Sequence, residues 1–261
     1  KGTVAIHLAL HALGIGPSDE VIVPDLTFAA VPHAVLLTGA QPVMVDVEAD
    51  SWCLDAAAIE NAISERTRAI VVVHLYGQPA RMDAIMRLAA KHDLYVIEDA
   101  AEAHGAETDG KRVGSIGNAG TFSLYGNKII TTGEGGMVVT NDAALAARLR
   151  FLKDHGMSAE RRYFHSELAF NYRMTNIQAA LGCAQMSRVD QLLAKKRSIA
   201  AHYATALADT PEITFAVERA NSTSVFWMAC GILAEGGVDR ADLCQRLRSV
   251  GIDTRRFFVP M

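Results

Sequence analysis

Short runs rich in valine and isoleucine alternate with longer helical patterns along the first half of the chain. The runs are EVIVP, QPVMVDV, AIVVVHL, LYVIEDA, GTFSLY and GMVVT, and helices are predicted near 3–13, 27–38, 55–63, 81–92 and 142–154. The runs show little polar alternation, which is typical of strands covered on both faces. The sequence therefore predicts an α/β fold with a mostly parallel sheet and helices on both of its faces.

Two segments interrupt this alternation. GTFSLY and GMVVT are joined by GNKIITTGEGG without a helix, so one of these two strands is predicted to run antiparallel. The segment ETDGKRVGSIGNAG is predicted to be a loop or a small hairpin, because Asp109-Gly110 is a tight-turn dipeptide.

The last part of the chain has a different pattern. Residues 175–209 are predicted to be almost entirely helical, with a break near Gly182. Strands are then predicted near 213–217 and 225–233, a helix near 239–250 and a final strand at 252–259. We therefore expect a large domain in residues 1–185, followed in residues 186–261 by an interdomain helix and part of a smaller α/β domain. Both ends of the sequence look cut, so we expect a piece of a longer protein.

Composition excludes several classes of partner. The 25 Lys and Arg residues against 29 Asp and Glu leave a net charge of −4, and this gives no basic surplus for a nucleic-acid phosphate backbone. The apolar runs are far shorter than the roughly 20 residues that a spanning helix needs, and no leader opens the sequence. We expect a cytoplasmic protein with no membrane partner. The four cysteines lack CxxC spacing and are interpreted as structural.

An acid and an amine follow two of the predicted strands. Asp99 ends the run LYVIED, and Lys128 comes shortly after the run GTFSLY. In an open α/β sheet, ligands bind outside the carboxyl ends of the strands, so both side chains are candidates to face one small molecule. Alone, Asp99 is as easily interpreted as a cap or an ion-pair partner.

Residues near these two complete a candidate cofactor site. Gly2 and Thr3 begin a helix whose free N–H groups and threonine hydroxyl suit an anion, and Ser123 offers a second hydroxyl. A lysine, an aspartate at a strand end and a phosphate site are the parts that hold pyridoxal 5′-phosphate (PLP). Phe28 is a candidate to lie against the PLP ring, although core packing is the commoner role of a phenylalanine.

Six blocks of the sequence, in this order, resemble one known family. They are GTVAIHLAL, DEVIVPDLTFAA, VIEDAAEAHGA, FSLYGNK, TTGEGGMVVTND and FNYRMTNIQAALG. Together they are similar to the DegT-type nucleotide-sugar aminotransferases, and the similarity covers nearly the whole chain. The resemblance implies the aspartate aminotransferase fold, known as the type I fold of PLP enzymes.

The resemblance also implies roles for individual residues. Lys128 would form the Schiff base with the cofactor and carry the proton, and Asp99 would pair with the pyridine nitrogen. Gly2, Thr3 and Ser123 would hold the phosphate. Phe28 would cover one face of the ring.

Further roles follow from the same resemblance. The residue three after Asp99 is often Gln in this family and approaches the 3′-oxygen of the cofactor, whereas this sequence has Glu102. Asn171 matches a position that reaches the phosphate of the neighbouring subunit, which implies a homodimer with shared active sites. Arg173 is expected to support the same loop.

Three histidines and two glycine-rich segments have weaker support. His7, His74 and His104 lack metal-ligand spacing and are interpreted as structural, so no metal is expected. Neither GSIGNAG nor GIGPSDE forms GxGxxG after a strand, so a dinucleotide site is not expected.

Within the family, YGNKIITTGEGG and KDHGMSAERRYFHSELAFNYRMTNIQ look most like the perosamine synthase group. This implies transfer of an amino group from glutamate, through pyridoxamine phosphate, to C4 of GDP-4-keto-6-deoxymannose, for O-antigen or related glycan biosynthesis. The glutamate would leave as 2-oxoglutarate. Residues 155–172 carry Arg161, Arg162, Tyr163 and His165, which either contact these substrates or form a solvated surface.

Two alternatives remain at this point. The substrate is alternatively another keto sugar, aminated at C3 or C4 and carried by UDP or dTDP. Dehydratases of the same fold replace the lysine with histidine, and Lys128 argues against them. The alternative from another class is a non-catalytic regulator of this fold or an inactive fragment.

Overall fold

The computed structural model describes residues 1–261 and contains eleven strands. In chain order they are β1 Glu20–Pro24, β2 Gln41–Val45, β3 Thr67–Val73, β4 Tyr95–Asp99, β5 Glu107–Thr108, β6 Lys111–Arg112, β7 Ala119–Ser123, β8 Gly136–Val139, β9 Ile213–Phe215, β10 Ser222–Thr223 and β11 Gly231–Leu233. Six of them form the central sheet, in the order β2-β1-β3-β4-β7-β8.

Eight α-helices and one 3₁₀ turn accompany these strands. They are α1 Gly2–Ala12, α2 Ala30–Leu36, α3 Ala56–Ala62, the turn Leu75–Gly77, α4 Met82–His92, α5 Ala143–Leu152, α6 Asn176–Met186, α7 Val189–Ala206 and α8 Arg240–Ser249. Side-chain caps define several starts: Asp142 accepts hydrogen bonds from the N–H groups of Ala144 and Leu145, and Thr175 forms a capping box with Gln178. None of the helices has the length and apolar content needed to cross a bilayer.

The central sheet confirms the predicted fold class. The β1–β2, β1–β3, β3–β4 and β4–β7 pairs are parallel, whereas β8 is antiparallel to β7 as the missing helix predicted. β1 is buried along its whole length, and β3 is buried everywhere except at Arg68. Because both faces are covered, the strands need no polar alternation, and this explains the continuous valine and isoleucine runs.

The predicted small hairpin is also present. β5 and β6 pair antiparallel around Asp109 and Gly110, whose φ angles are 48° and 72°. Two positive φ angles in a two-residue turn are the geometry that favours Asp-Gly. β10 pairs with β5, so this hairpin ties residues 222–223 to the first part of the chain.

The C-terminal part departs from the sequence-based expectations. The helical region breaks at Ser187 and Arg188, between α6 and α7, and not at Gly182. A Cβ atom at Gly182 would lie 3.0 Å from Thr132 Cγ2, so this glycine permits close packing within a continuous helix. The predicted strand at 213–217 is limited to β9, and only β11 of the predicted strand at 225–233 forms.

The predicted final strand at 252–259 is absent, because this segment packs through its aromatic side chains and forms no ladder. The Phe257 ring is 4.8 Å from Trp52, and the Phe258 N–H donates to the Tyr76 hydroxyl. The residues before β11 also contact the central part of the chain, since Val225 N–H donates to Gly77 O. The division into domains at residue 185 stays a prediction.

The carboxylate of Glu98 organises the buried ends of β3, β4 and the loop before β7. Its Oε1 accepts the N–H groups of Ile116 and Gly117, and its Oε2 accepts the Gly114 N–H, each at 2.7 Å. His74 Nε2 lies 3.0 Å from the same Oε2. The Ala80 N–H donates to His74 Nδ1, so the hydrogen-bond network assigns the ring proton to Nε2.

Four donors therefore converge on one fully buried carboxylate. Burial alone would raise the pKa of the Glu98 carboxyl, but the interaction with His74 and the N–H groups of Gly117 and Gly114 lowers it below its usual value. Glu98 is thus held as an anion by hydrogen bonds.

We expect Glu98→Gln to lower the free energy of unfolding by about 3–5 kcal/mol, because an amide NH₂ would face N–H donors and leave buried groups unpaired. Urea denaturation measures this change. Glu107→Gln is the matched control, since Glu107 lies 3.5 Å from Arg112 in a partly exposed pair; we expect a change within about 0.5 kcal/mol. Equal stabilities of the two variants would contradict this account of Glu98.

Candidate active site

Asp99 lies at the carboxyl edge of the central sheet. It is the last residue of β4, paired in register with Val73 of β3 and with Thr121 of β7. β7 ends two residues after Thr121, and the chain then turns so that the Lys128 N–H donates to Tyr125 O. The parallel pairing of β4 and β7 therefore brings the acid and the amine to the same edge, as the sequence predicts.

The Asp99 side chain is buried with one oxygen in use. Its Oδ1 accepts the Ala101 N–H at 3.0 Å, and its Oδ2 makes no hydrogen bond within the chain. Burial raises the pKa of the Asp99 carboxyl, and the Ala101 N–H and the charge of Lys128 oppose this rise only in part. Asp99 thus offers a carboxyl oxygen that no donor of the chain occupies.

Lys128 and Glu102 form a buried ion pair beside Asp99. Lys128 Nζ lies 3.2 Å from Glu102 Oε1, and the two side chains are 12% and 6% exposed. The Tyr76 N–H donates to Glu102 Oε2 at 2.9 Å, so both carboxylate oxygens are used. Burial raises the pKa of the Glu102 carboxyl, and the charge of Lys128 opposes this rise. Glu102 therefore holds the lysine amine at the carboxyl edge.

The start of α1 lies against the end of β7. A Cβ atom added to Gly2 would be 3.1 Å from Ser123 Cβ and 3.5 Å from Ser123 Oγ. The distance to Ser123 Cβ is shorter than an ordinary van der Waals contact. No side chain caps the first N–H groups of α1, and Thr3 lies half-buried in its first turn. Gly2, Thr3 and Ser123 are thus grouped around an uncapped helix start, which suits a phosphate.

Three other candidate residues form no hydrogen bond or ring contact with Lys128, Asp99 or Glu102. Phe28 is 59% exposed, and its ring centre is 5.7 Å from that of Phe258. Asn171 is exposed and forms a β-bridge with Asp154. Arg173 Nη1 binds the Asp154 carboxylate at 2.9 Å and 3.1 Å, and this contact supports the loop of Asn171. Their roles towards a cofactor stay predictions.

The three candidate structural histidines are buried. His7 Nδ1 lies 3.2 Å from the Tyr172 hydroxyl, and His74 binds Glu98 as described. Neither ring nitrogen of His104 makes a hydrogen bond. Burial and then the nearby charge of Lys128 lower the pKa of His104 to about 4, so its ring is neutral at pH 7.

Two aromatic residues at the site carry no signal in the sequence. Trp227 lies over Lys128, with 4.0 Å from Nζ to the centre of the indole ring. Tyr76 presents its N–H to Glu102 because its backbone is left-handed, with φ 53° and ψ 16°. No local motif marks either residue, and only the positive φ of Tyr76 would have indicated a special role once the backbone was known.

These groups fit PLP. The uncapped α1 start with Ser123 suits its phosphate, the unused Asp99 oxygen suits its pyridine nitrogen, and the buried Lys128 amine suits its aldehyde. A separate cavity of about 590 Å³ opens at the amino ends of the strands, beside Tyr95 and Asn118, and it includes none of the candidate site residues.

Comparison with known proteins decides the family. The family model described as "DegT/DnrJ/EryC1/StrS aminotransferase family" matches residues 1–261. The chain belongs to this family of aminotransferases. The predicted family and the predicted class of enzyme are thereby confirmed.

Similar proteins include a named enzyme and solved structures. GDP-perosamine synthase of Caulobacter vibrioides is 50% identical over 263 residues, which cover 100% of this chain and 71% of the relative. The Streptomyces venezuelae protein DesV, solved with a ketimine intermediate, is 40% identical with a TM-score of 0.93 and covers 99% of this chain and 69% of its own. A Streptococcus pneumoniae protein solved in a PLP-form is 29% identical with a TM-score of 0.93, covering 99% and 72%.

We expect Asp99→Asn to abolish most of the transaminase activity and yet to stabilise the protein without cofactor. Asparagine keeps an oxygen for the Ala101 N–H and removes a buried charge, so the melting temperature at pH 7 should rise by about 3 °C, while transamination should fall by about a thousandfold. Thermal melts and steady-state assays measure the two effects.

The pH dependence of this gain has a fixed sign. The folded pKa of Asp99 lies above its unfolded value, so the stability of the parent protein falls as pH rises from the ordinary carboxyl range through the folded pKa. The gain of Asp99→Asn should therefore vanish near pH ~3.5 and be complete above the folded pKa. Asp83→Asn, which changes an exposed partner of Arg87, is the control and should not raise the melting temperature. A gain that is largest in acid would contradict the buried-charge explanation.

Proposed function

We propose that this protein is a PLP-dependent aminotransferase that transfers the amino group of glutamate to C4 of GDP-4-keto-6-deoxymannose and so makes GDP-perosamine. The observation that carries the substrate assignment is the 50% identity with the GDP-perosamine synthase of Caulobacter vibrioides along the whole chain. The buried group formed by Lys128, Glu102 and Asp99 supports the chemistry. Such a reaction belongs in the cytoplasm, where we place the protein.

The cofactor supplies an aldehyde that condenses with amines and a ring that accepts electrons. The chain supplies the charges and donors around it. The Asp99 carboxylate holds a proton at the pyridine nitrogen, where it keeps the ring electron-poor. The N–H groups at the start of α1 and the Ser123 hydroxyl bind the phosphate. A Cβ atom added to Gly2 would approach Ser123 Cβ to 3.1 Å, which explains why glycine suits position 2.

Lys128 would carry the proton, and Glu102 would position its amine. The Lys128 Nζ would be the amine that holds the cofactor, and when free it would be the base that takes a proton from the substrate carbon and delivers it to C4′ of the cofactor. The Glu102 carboxylate lies 3.2 Å from Nζ and keeps the amine at the carboxyl edge of the sheet. Burial raises the pKa of the Glu102 carboxyl, so this group is easier to protonate than an exposed glutamate. A protonated Glu102 would not repel the 3′-oxygen of the cofactor.

The loop between α5 and α6 supports binding of the anionic substrates. Arg161 and Arg162 lie on this loop and are exposed, each stacked over a neighbouring aromatic ring at 5.2 Å and 4.9 Å. Guanidinium groups bind carboxylates and phosphates with two donors at once. We assign this loop to contacts with glutamate or the sugar nucleotide.

We also propose a homodimer in which Asn171 completes the partner's site. The exposed apolar side chains around Asn171 support it, since Leu168 is 89% and Ile177 is 79% exposed. Leu181 of α6 is also exposed, and no residue of this helix is buried within the chain. Apolar surface of this kind is typical of a subunit interface.

The substrate assignment is tested with a panel of keto-sugar nucleotides and glutamate, with products weighed by mass spectrometry. We expect amination of GDP-4-keto-6-deoxymannose at C4 and formation of 2-oxoglutarate. Borohydride should fix the cofactor on the peptide that contains Lys128, and Lys128→Ala should lose both this tag and activity. Lys91→Ala, which changes an exposed lysine paired with Glu60, should keep both. Preferred amination of a UDP- or dTDP-linked sugar, or of C3, would overturn the substrate assignment, and absence of the tag at Lys128 would overturn the proposed role of Lys128 as the reacting amine.

The shared site is tested by mixing two inactive variants. Lys128→Ala and Asn171→Ala subunits should each have little activity alone, and after reassortment they should recover about a quarter of the wild-type activity, because half of the dimers then contain one intact site. Reassortment requires unfolding and refolding together, followed by an activity assay. Recovery of no activity while dimers form would place Asn171 in its own subunit's site or outside both.

A further inference from the structure

Trp227 contacts Lys128 although 100 residues separate it from Asn127, the neighbour of this lysine. Lys128 Nζ is 4.0 Å from the centre of the indole ring and 3.2 Å from Glu102 Oε1. Trp227 and Glu102 are 4% and 5% exposed. The amine therefore has a carboxylate and an aromatic face as its neighbours in a nearly dry site, where cation–π attraction is strongest.

Three hydrogen bonds fix the position of Trp227. Its ring Nε1–H donates to Asn127 O at 2.9 Å, and its backbone N–H donates to Tyr76 O at 3.0 Å. Its carbonyl oxygen accepts from Lys196 Nζ at 2.9 Å. Because Asn127 directly precedes Lys128, the indole constrains both the backbone and the side chain of the lysine.

We propose that Trp227 is a positioning residue for the reacting amine: its indole face keeps Lys128 Nζ beside Glu102, and its ring N–H holds the turn that carries the lysine. The inference rests on the proposed function, in which Lys128 is the reacting amine. It makes the segment before β11 part of the active site, since Val225 and Trp227 both donate to the 3₁₀ turn at Leu75–Gly77.

Simple core packing is the competing explanation, and the chain contains a matched control for it. Trp227 and Trp52 both contact Tyr76, with ring centres 6.4 Å and 6.2 Å away, and both are buried. Only Trp227 lies over Lys128. A residue that merely packs changes stability, but it leaves the reactivity of one particular lysine unchanged.

The first experiment measures the reactivity of Lys128 in the full chain without cofactor. Trace acetylation by acetic anhydride, followed by peptide mass spectrometry, gives the ratio of acetyl-Lys128 to acetyl-Lys91, the exposed lysine. In Trp227→Leu this ratio should rise about fivefold, because the amine loses both its cover and an attractive contact. Trp227→Phe keeps an aromatic face and should stay within about twofold of the wild type, as should Trp52→Leu.

Three results would overturn the proposal. They are an unchanged ratio in Trp227→Leu, a ratio in Trp227→Phe as high as in Trp227→Leu, and an equal rise in Trp52→Leu. In each case the indole face over the amine would not control its position.

A second measurement decides the question if Trp227→Leu does not fold. The chain has two tryptophans, so Trp52→Phe leaves Trp227 as the sole indole. Adding Lys128→Met should then change the indole emission, because the cation over the ring is lost. In a Trp227→Phe background, where Trp52 alone remains, Lys128→Met should leave the emission unchanged. The contact between Lys128 and Trp227 would be overturned if Lys128→Met left the emission unchanged in the Trp52→Phe background. Equal changes of emission in the two backgrounds would overturn it as well.

The two proposals fail in different ways. Loss of the borohydride tag at Lys128 in the wild-type protein defeats the proposed function, whatever the acetylation ratios are. A normal tag at Lys128, together with an acetylation ratio that is the same in Trp227→Leu as in the wild type, defeats only the positioning role.

Discussion

The buried Glu98 carboxylate is the interaction on which the carboxyl edge of the sheet depends. It gathers three N–H groups of the loop before β7 and the ring of His74, which follows β3. Glu98 itself precedes Asp99 on β4, and the His74 N–H donates to the Asp99 carbonyl oxygen. One anion thus joins the ends of β3 and β4 to the loop that leads into β7, and Asp99 directly follows it in the chain.

The site uses buried carboxylates for two opposite purposes. Glu98 has four donors, so its pKa is lowered and the anion stabilises the fold. Asp99 and Glu102 have fewer donors, and burial raises the pKa of each. The charged forms of Asp99 and Glu102 weaken the protein without cofactor, and under the proposed function the cationic pyridine ring would offset part of this cost. The number of N–H groups around each carboxylate therefore separates the structural acid, Glu98, from the two acids that we propose to act at the cofactor.

The sequence predicts the central sheet and the placement of Asp99 and Lys128 at one edge of it, because both follow from local sequence patterns. Buried strands appear as valine and isoleucine runs, and strand ends at one edge are neighbours in any parallel sheet. The C-terminal strands are only two or three residues long, too short for a hydrophobic period to show. The segment 252–259 has the apolar residues of a strand, but Phe257 and Phe258 pack against Tyr76 instead of joining a sheet. Trp227 has no local signal at all, since its role arises from a contact across 100 residues.

The left-handed backbone of Tyr76 has a consequence for how this protein tolerates change. A tyrosine at φ 53° is strained by roughly 1 kcal/mol or more, yet this conformation aims its N–H at Glu102 and its carbonyl oxygen at Trp227. A glycine would relax the turn and remove the ring. Loss of a buried aromatic ring costs about 3–5 kcal/mol, which is more than the strain that glycine would relieve, so the packing of the Tyr76 ring maintains the left-handed backbone and with it the donor to Glu102.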